Sequence, residues 1–540
     1  MAFGRHRGQE ELTRPFAGWT RSPLVEISQR RTSTRLRCGV VLLSAALVIG
    51  CTGAANKASS DQAVLTIGVA QAIAGAVPTL QNLASNLSSE GLTQLSPDGR
   101  ALPKLAESWS WSNDGLTLQV NLRKGIEFHD GTPLTAKVVS EILLEAVAKP
   151  ANRAQYTSFR DIADVQATGD LQLTFELSRR SSFLPEDLEL PLEIGNPGIG
   201  TGAYQVTKRE PTEVVLQAND HYYLGTPGIR QVILRPFGAL RTAWSSLLRG
   251  QVDMVTDVPP DAVEFVSNDD VQVVSFGRRY QYVVAFNSRR PPFSSAIVRK
   301  ALNLAVDRPA LIKNVLQGHG LPSTGPLWPQ HWAYDKSLPA FNYDAALATS
   351  ILENNGFHER PAQSGPPARL RFTCLIPANF SLIERIGLNV QKQLYDIGVD
   401  MRFEVVRAED LDARIRVGQF DAFLIELVGG PSLSRAYMFW ASARSFQGLN
   451  VFGYENPRAE QLFGVLRTTT NEGAIRSATR SLQQVLLDDP PALFLTWNER
   501  SRAIRRNFQI VQDVAHDPAD PVYTIWKWNR VSTDRGAATN

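Results

Sequence analysis

Side chains able to do covalent or metal chemistry are few in this 540-residue chain and widely spread. It has seven His and three Cys. No His-Glu-x-x-His, Cys-x-x-Cys or Gly-x-Ser-x-Gly pattern occurs, so a metal site or an activated nucleophile would have to assemble wholly from distant residues. Asp421 and Glu426 offer the paired acids a hydrolase needs. In a strand, however, a spacing of five points them to opposite faces. The close glycines of GIGTGAYQV (Gly198 to Val206) are not followed by the Lys-Ser/Thr that completes a phosphate-binding loop. Residue types alone therefore give an enzyme reading little support, and no metal or cofactor is expected.

The elements that would position a binding site are easier to read. In Leu105 to Val139, SWSWS and LTLQVNL alternate apolar with polar residues around Asn113-Asp114-Gly115, which predicts a hairpin. Thr132-Pro133 then opens a helix with apolar residues at Val138, Val139, Ile142, Leu143 and Val147. DVQATGDLQLTFELS reads as another strand pair. RLRFTCLI, the loop PANFSLIER, IGLNVQKQLYDIG and VDMRFEVV read as strand, loop, helix and strand, and Arg458 to Gln484 as helical. Nearly 490 residues beyond the leader should divide into at least two lobes.

The LAESW, DGLT, LRKGIEFHDGTP and TAKVV series resembles the signature segment of the extracytoplasmic solute-binding proteins of peptide-type ABC importers (family 5). So does YVVAFN…PPF…VRKALNLAVDR between Tyr282 and Arg308. The resemblance implies an α/β, two-lobe periplasmic-binding-protein-like fold (type II, peptide-binding cluster) with two hinge crossings, near Tyr280 to Asn287 and Pro490 to Trp497. Lobe 1 would cover 62–279 with 498–540 returning to it, and lobe 2 would cover 280–497. It implies capture of a peptide or related small solute, delivery to ABC permease subunits, and a monomer.

Departures from the family fall in its ligand loops. Thr79-Leu80-Gln81-Asn82 stands where an Asp-Pro loop is usual. In QFDAFLIELVGGPSLSR the Phe420-Asp421 anchor survives, but Leu427 takes a Trp position and the ammonium-binding Asp is missing, leaving Glu426 as its replacement. At the tip of PANFSLIER, Asn379 and Phe380 replace a carboxylate-binding Arg. Tyr156 matches a cleft aromatic, and Tyr282, Trp497, Trp328 and Trp332 lie near the crossings as stacking faces. The ligand-binding residues expected are thus Tyr156, Tyr282, Asn379, Phe380, Glu426 and Trp497. A buried unpaired ammonium costs several kcal/mol, so the ligand should be a longer or modified peptide, or a sugar-like solute without a free α-amine.

The first 37 residues hold eight Arg and three Glu, and Gly39 to Gly50 is a 12-residue apolar run. That describes a secretory signal over 1–50, too short to span a bilayer. VIGC resembles a lipobox, which would make Cys51 the lipidated residue, 51–61 a tether, and the membrane a partner through the anchor. Without the leader the chain has 48 basic and 50 acidic residues. The net basic character is the leader's, and no nucleic-acid partner is expected. An alternative with the same fold and anchor is a sensor, envelope chaperone or scaffold not coupled to transport.

Overall fold

The computed structural model describes residues 63–70, 80–195, 198–361, 365–442, 450–513 and 520–531. The signal segment 1–50, the 51–61 tether, Cys51 and Thr79 lie outside them. Residues 63–540 form one compact unit.

Its spine is one sheet. In spatial order the strands are Val399–Val406, Leu370–Pro377, Ala422–Val428, Val271–Phe286, Ala492–Arg505, Met254–Val258, Val64–Ala70, Gln231–Phe237, Glu213–Ala218 and Tyr204–Glu210, with Gly320–Pro322 on the edge of Ala492–Arg505. Parallel pairs arise where a helix returns the chain, as Ser381–Tyr395 does between Leu370–Pro377 and Val399–Val406.

Two long antiparallel strands join the halves. Val271–Gly277 pairs with Glu499–Arg505, whose Met254–Val258 neighbour belongs to one half, while Tyr280–Phe286 pairs with Ala422–Val428 of the other. The ladder between them shifts register between Gly277 and Gln281 and again between Tyr282 and Val283. Alternation explains their burial on both faces: Tyr282, Val284 and Phe286 enter one core cluster, Val283 and Ala285 the next. Leu493 and Leu495 separate from Ala492 and Phe494 in the same way.

A four-stranded sheet, Ala106–Trp111, Thr117–Leu122, Gln172–Leu177 and Ile162–Gly169, carries its own core. Gly115 has φ +67°, the conformation the Asp-Gly turn demands. Three boundaries differ from the sequence reading. The helix after this hairpin begins at Ala136, not Thr132-Pro133, because Thr135 supplies the cap by accepting from Val138 N at 3.3 Å, and Pro133 sits in a bridge with Glu127. Helix Ser381–Tyr395 begins inside the expected PANFSLIER loop, leaving only Ala378 to Phe380 as a turn, with Asn379 at φ +68°. Likewise, Leu80, Gln81 and Asn82 belong to helix Leu80–Ser88 rather than a loop.

Candidate functional site

Where the long strands cross, they floor a cleft of about 1130 Å³. Tyr280, Trp497, Asn498 and Arg500 line the floor; Glu90, Lys104, Arg123, Tyr156 and Tyr222 line one wall; Val428 to Ser432 and Arg435 line the other.

The first wall is built around Glu90. Its buried carboxylate accepts from Tyr222 Oη at 2.7 Å and Thr201 Oγ1 at 3.1 Å and pairs with Lys104 Nζ at 3.1 Å. This fixes Tyr222, whose ring meets Tyr223 at 5.0 Å and Trp526 at 5.3 Å, both edge-on. Burial and the adjacent Glu90 carboxylate push the Tyr222 phenol well up, so it remains a donor. Such aromatic surfaces, with hydroxyls already oriented, suit stacking and neutral hydrogen bonding.

The floor is ionic. Arg500 lies 3.2 Å from Glu426 and 3.6 Å from Asp257, so one guanidinium is shared by a carboxylate from each half of the sheet. Asn498 Nδ2 also donates to Glu426, at 2.5 Å. Despite the opposing effect of burial, the two carboxylates hold the Arg500 guanidinium above its usual range. Above this network Trp497 meets Trp328 edge-on at 5.0 Å, and Trp328 Nε1 reaches Pro97 O at 3.1 Å. A Cβ on Gly429 would come within 2.6 Å of the Trp497 ring, so the second wall closes on the indole only because that residue is glycine.

The second wall docks on the first through the GGPSLSR turn. Ser432 Oγ donates to Glu186, Ser434 Oγ to Asp187 at 3.3 Å, and Arg435 Nη1 to Gln155 O, with the Arg435 guanidinium 5.8 Å from the Tyr156 ring. Where the sequence suggested a lost acid, the serines thus face two carboxylates supplied from across the cleft. Burial first, then the charge of Asp187, pushes Glu186 up to about 8 despite the Ser432 hydrogen bond.

The structure brings together only part of the expected site. Tyr156 and Trp497 line the cleft. Tyr282 is buried in the core beneath it, paired with Glu426 and Thr496 along the sheet. Asn379 is exposed and Phe380 packs against that same core; neither belongs to the lining. Glu426 is neither solvated nor presented to a ligand, because Asn498 and Arg500 occupy it. Trp332 stacks outside the lining, its ring 4.5 Å from the Arg100 guanidinium and 4.9 Å from that of Arg476. Sequence reasoning missed Glu90, Arg123, Tyr222, Trp526, Arg435 and Arg500. The adjacent Tyr222-Tyr223 pair was a visible signal; the pairing of Glu90 with Lys104 was not.

The family model for bacterial extracellular solute-binding proteins, family 5 (middle) matches residues 100–447. The chain belongs to this family. It is similar to the oligopeptide-binding protein AppA of Bacillus subtilis (23% identity, 93% of this chain and 99% of that protein). It is also similar to the glutathione-binding protein GsiB of Pectobacterium atrosepticum (25% identity, 75% and 82%). Among solved structures, NikZ of Campylobacter jejuni in complex with Ni(L-His) superposes with a TM-score of 0.72 at 22% identity, covering 87% of this chain and all of that one. As a family 5 member the protein is a bacterial extracellular solute-binding protein with the two-lobe periplasmic-binding-protein fold.

Proposed function

We propose that this chain is the lipid-anchored subunit that captures a peptide or related solute in the interlobe cleft and hands it to an ABC permease, without itself catalysing a reaction. The observation that carries this reading is the cleft over the crossing strands, with both lobes contributing to its walls. The boundaries follow from the same strands: 62–279 with 498–540 as lobe 1 and 280–497 as lobe 2, supported by the register break after Gly277. Cys51 is the proposed acylation site, anchoring the exported mature chain to a membrane in the periplasm or at the outer cell surface. A single acyl chain gives only marginal anchoring, so more than one is required.

A ligand touching both walls stabilises the closed form in proportion to its preference for that form over the open one. The ligand class proposed is one without a free α-ammonium. Of the acids lining the cleft, Glu90, Asp257 and Asp520 are already paired with Lys104, Arg500 and Arg502, Glu499 lies 3.0 Å from His319, and Glu189 is engaged. A relative named for glutathione and one named for oligopeptides support a ligand with a peptide skeleton.

Native mass spectrometry of the purified protein, followed by denaturation, tests this reading. A released peptide-like compound without a free α-amine is the expected result. A cleft that stays empty, and no change in melting temperature on addition of N-acetylated peptide pools, would sink it.

A further inference from the structure

Two arginines in the cleft are built alike. Arg123 donates from Nε to Lys104 O at 2.6 Å and lies 6.0 Å from the Tyr223 ring. Arg435 donates from Nη1 to Gln155 O and lies 5.8 Å from the Tyr156 ring. In each, one backbone carbonyl fixes the guanidinium and a tyrosine flanks it, while other N–H groups of the fork are left over. Neither forms an ion pair among the described residues, although both line the cleft.

The remaining charges behave differently. Lys104, Arg500 and Arg502 each hold a carboxylate, and Glu499 holds His319 at 3.0 Å. Glu189 is engaged as well, and so is the lining Lys527, whose Nζ lies 5.4 Å from the Trp526 ring. Asp187, the acid Arg435 acts on through space, is occupied by Ser158 N at 2.8 Å, Ser158 Oγ at 2.7 Å and Ser434, and burial pushes it up. Positive charge is therefore left unneutralised at two fixed points, one on each wall. Desolvating a guanidinium on closure is unfavourable unless a partner replaces water. A carboxylate does so with two parallel hydrogen bonds, which a fixed guanidinium presents at little entropic cost. The volume of about 1130 Å³ exceeds the roughly 300–1000 Å³ of sites for drug-sized ligands.

We propose that the cleft selects an acidic solute of oligopeptide size, and that Arg123 and Arg435 are the residues that read its carboxylates, one from each lobe. This rests on the importer-subunit reading, since it assumes that the ligand occupies this cleft. Selection here runs opposite to an ammonium clamp: the protein contributes the cations and the ligand the anions.

The test is calorimetry on the full-length protein with three N-acetylated, C-amidated pentapeptides identical except at two positions, which carry Glu, Gln or Lys. The Glu peptide is expected to bind at least tenfold tighter than the Gln peptide, and the Lys peptide most weakly. Arg123→Gln and Arg435→Gln should each remove most of that preference while changing affinity for the Gln peptide less than threefold. A merely structural role would weaken both peptides together. Arg435→Lys, which keeps the charge but loses the fork, should keep part of the preference and controls for folding. Equal binding of the Glu and Gln peptides, preference for Lys, or no binding of the Glu peptide overturns the proposal. In those cases binding of the Gln or Lys peptide would leave the importer reading standing, whereas silence from all three would count against both.

Discussion

Glu186 shows how a single residue can oppose its surroundings. It is a carboxyl with a serine for a partner and two acids, Asp187 and Glu189, nearby, and burial raises it to about 8. In the unfolded chain it titrates near 4.5, so its favourable contribution is complete below that pH and is lost as pH rises through about 8. Glu186→Gln should flatten this dependence: relative to wild type, the variant's melting temperature should fall less between pH 6 and pH 9, a tenfold difference in proton affinity being worth about 1.4 kcal/mol. Equal slopes for the two proteins would show that the carboxyl is solvated. Gly429 is a second pressure point, because a methyl group there meets the Trp497 ring at 2.6 Å. Gly429→Ala is expected to lower stability in chemical denaturation by about 1–3 kcal/mol through overpacking. An unchanged midpoint would mean that the indole moves aside freely.

Among the elements, helix Arg308–Val315 is tied to a long strand by a charge without an acid. Arg308 is buried and donates to Phe494 O and Ser323 O at 2.7 Å, to Asn303 O at 2.9 Å and to Asn303 Oδ1 at 2.8 Å; burial pulls it down to about 9, still charged at neutral pH. Arg308→Met removes every donor from these acceptors and should cost roughly 3–5 kcal/mol. A loss below about 1 kcal/mol would mean that water substitutes for the guanidinium. Elements of this kind were legible wherever period and punctuation agreed: the Gly115 hairpin, the parallel unit around Leu370–Pro377 and the helices after Asn456 follow from alternation, capping and helical spacing. The site was less legible, for a physical reason. Glu426 reads as a free acid beside a missing clamp, but its partners Asn498 and Arg500 arrive from a strand over 70 residues later. Asn379 and Phe380 were placed by a loop that the helix beginning at Ser381 largely consumes. Tyr156 could be recognised because its position follows a local motif, whereas Arg435 draws its meaning from Gln155 and Tyr156 on the opposite wall.

At the scale of the whole molecule, the proposed anchor and the cleft make separable demands. The fold of residues 63–540 is one compact unit, and no helix among the described residues is long and apolar enough to cross a membrane. With the anchor proposed at Cys51, Cys51→Ser should shift the protein from the membrane to the soluble fraction while leaving its melting temperature and ligand binding unchanged. Continued membrane association of the variant would point to attachment by another part of the chain.

The crossing itself has a mechanical meaning. Lobes joined by slack loops would swing as on a pin, with little resistance until they collided. Here the joint is a pair of hydrogen-bonded ribbons 16 and 14 residues long, running unbroken from one lobe into the other and buckled in register at Gly277 to Gln281. Such a joint behaves as a leaf spring. Opening must be stored as twist in the ribbon, concentrated where the ladder already slips, and the shared Arg500 guanidinium sits at that bend, held by a carboxylate from each side. The rest angle of the spring, as much as the chemistry of the walls, then sets how much of the ligand's binding energy remains as affinity after closure.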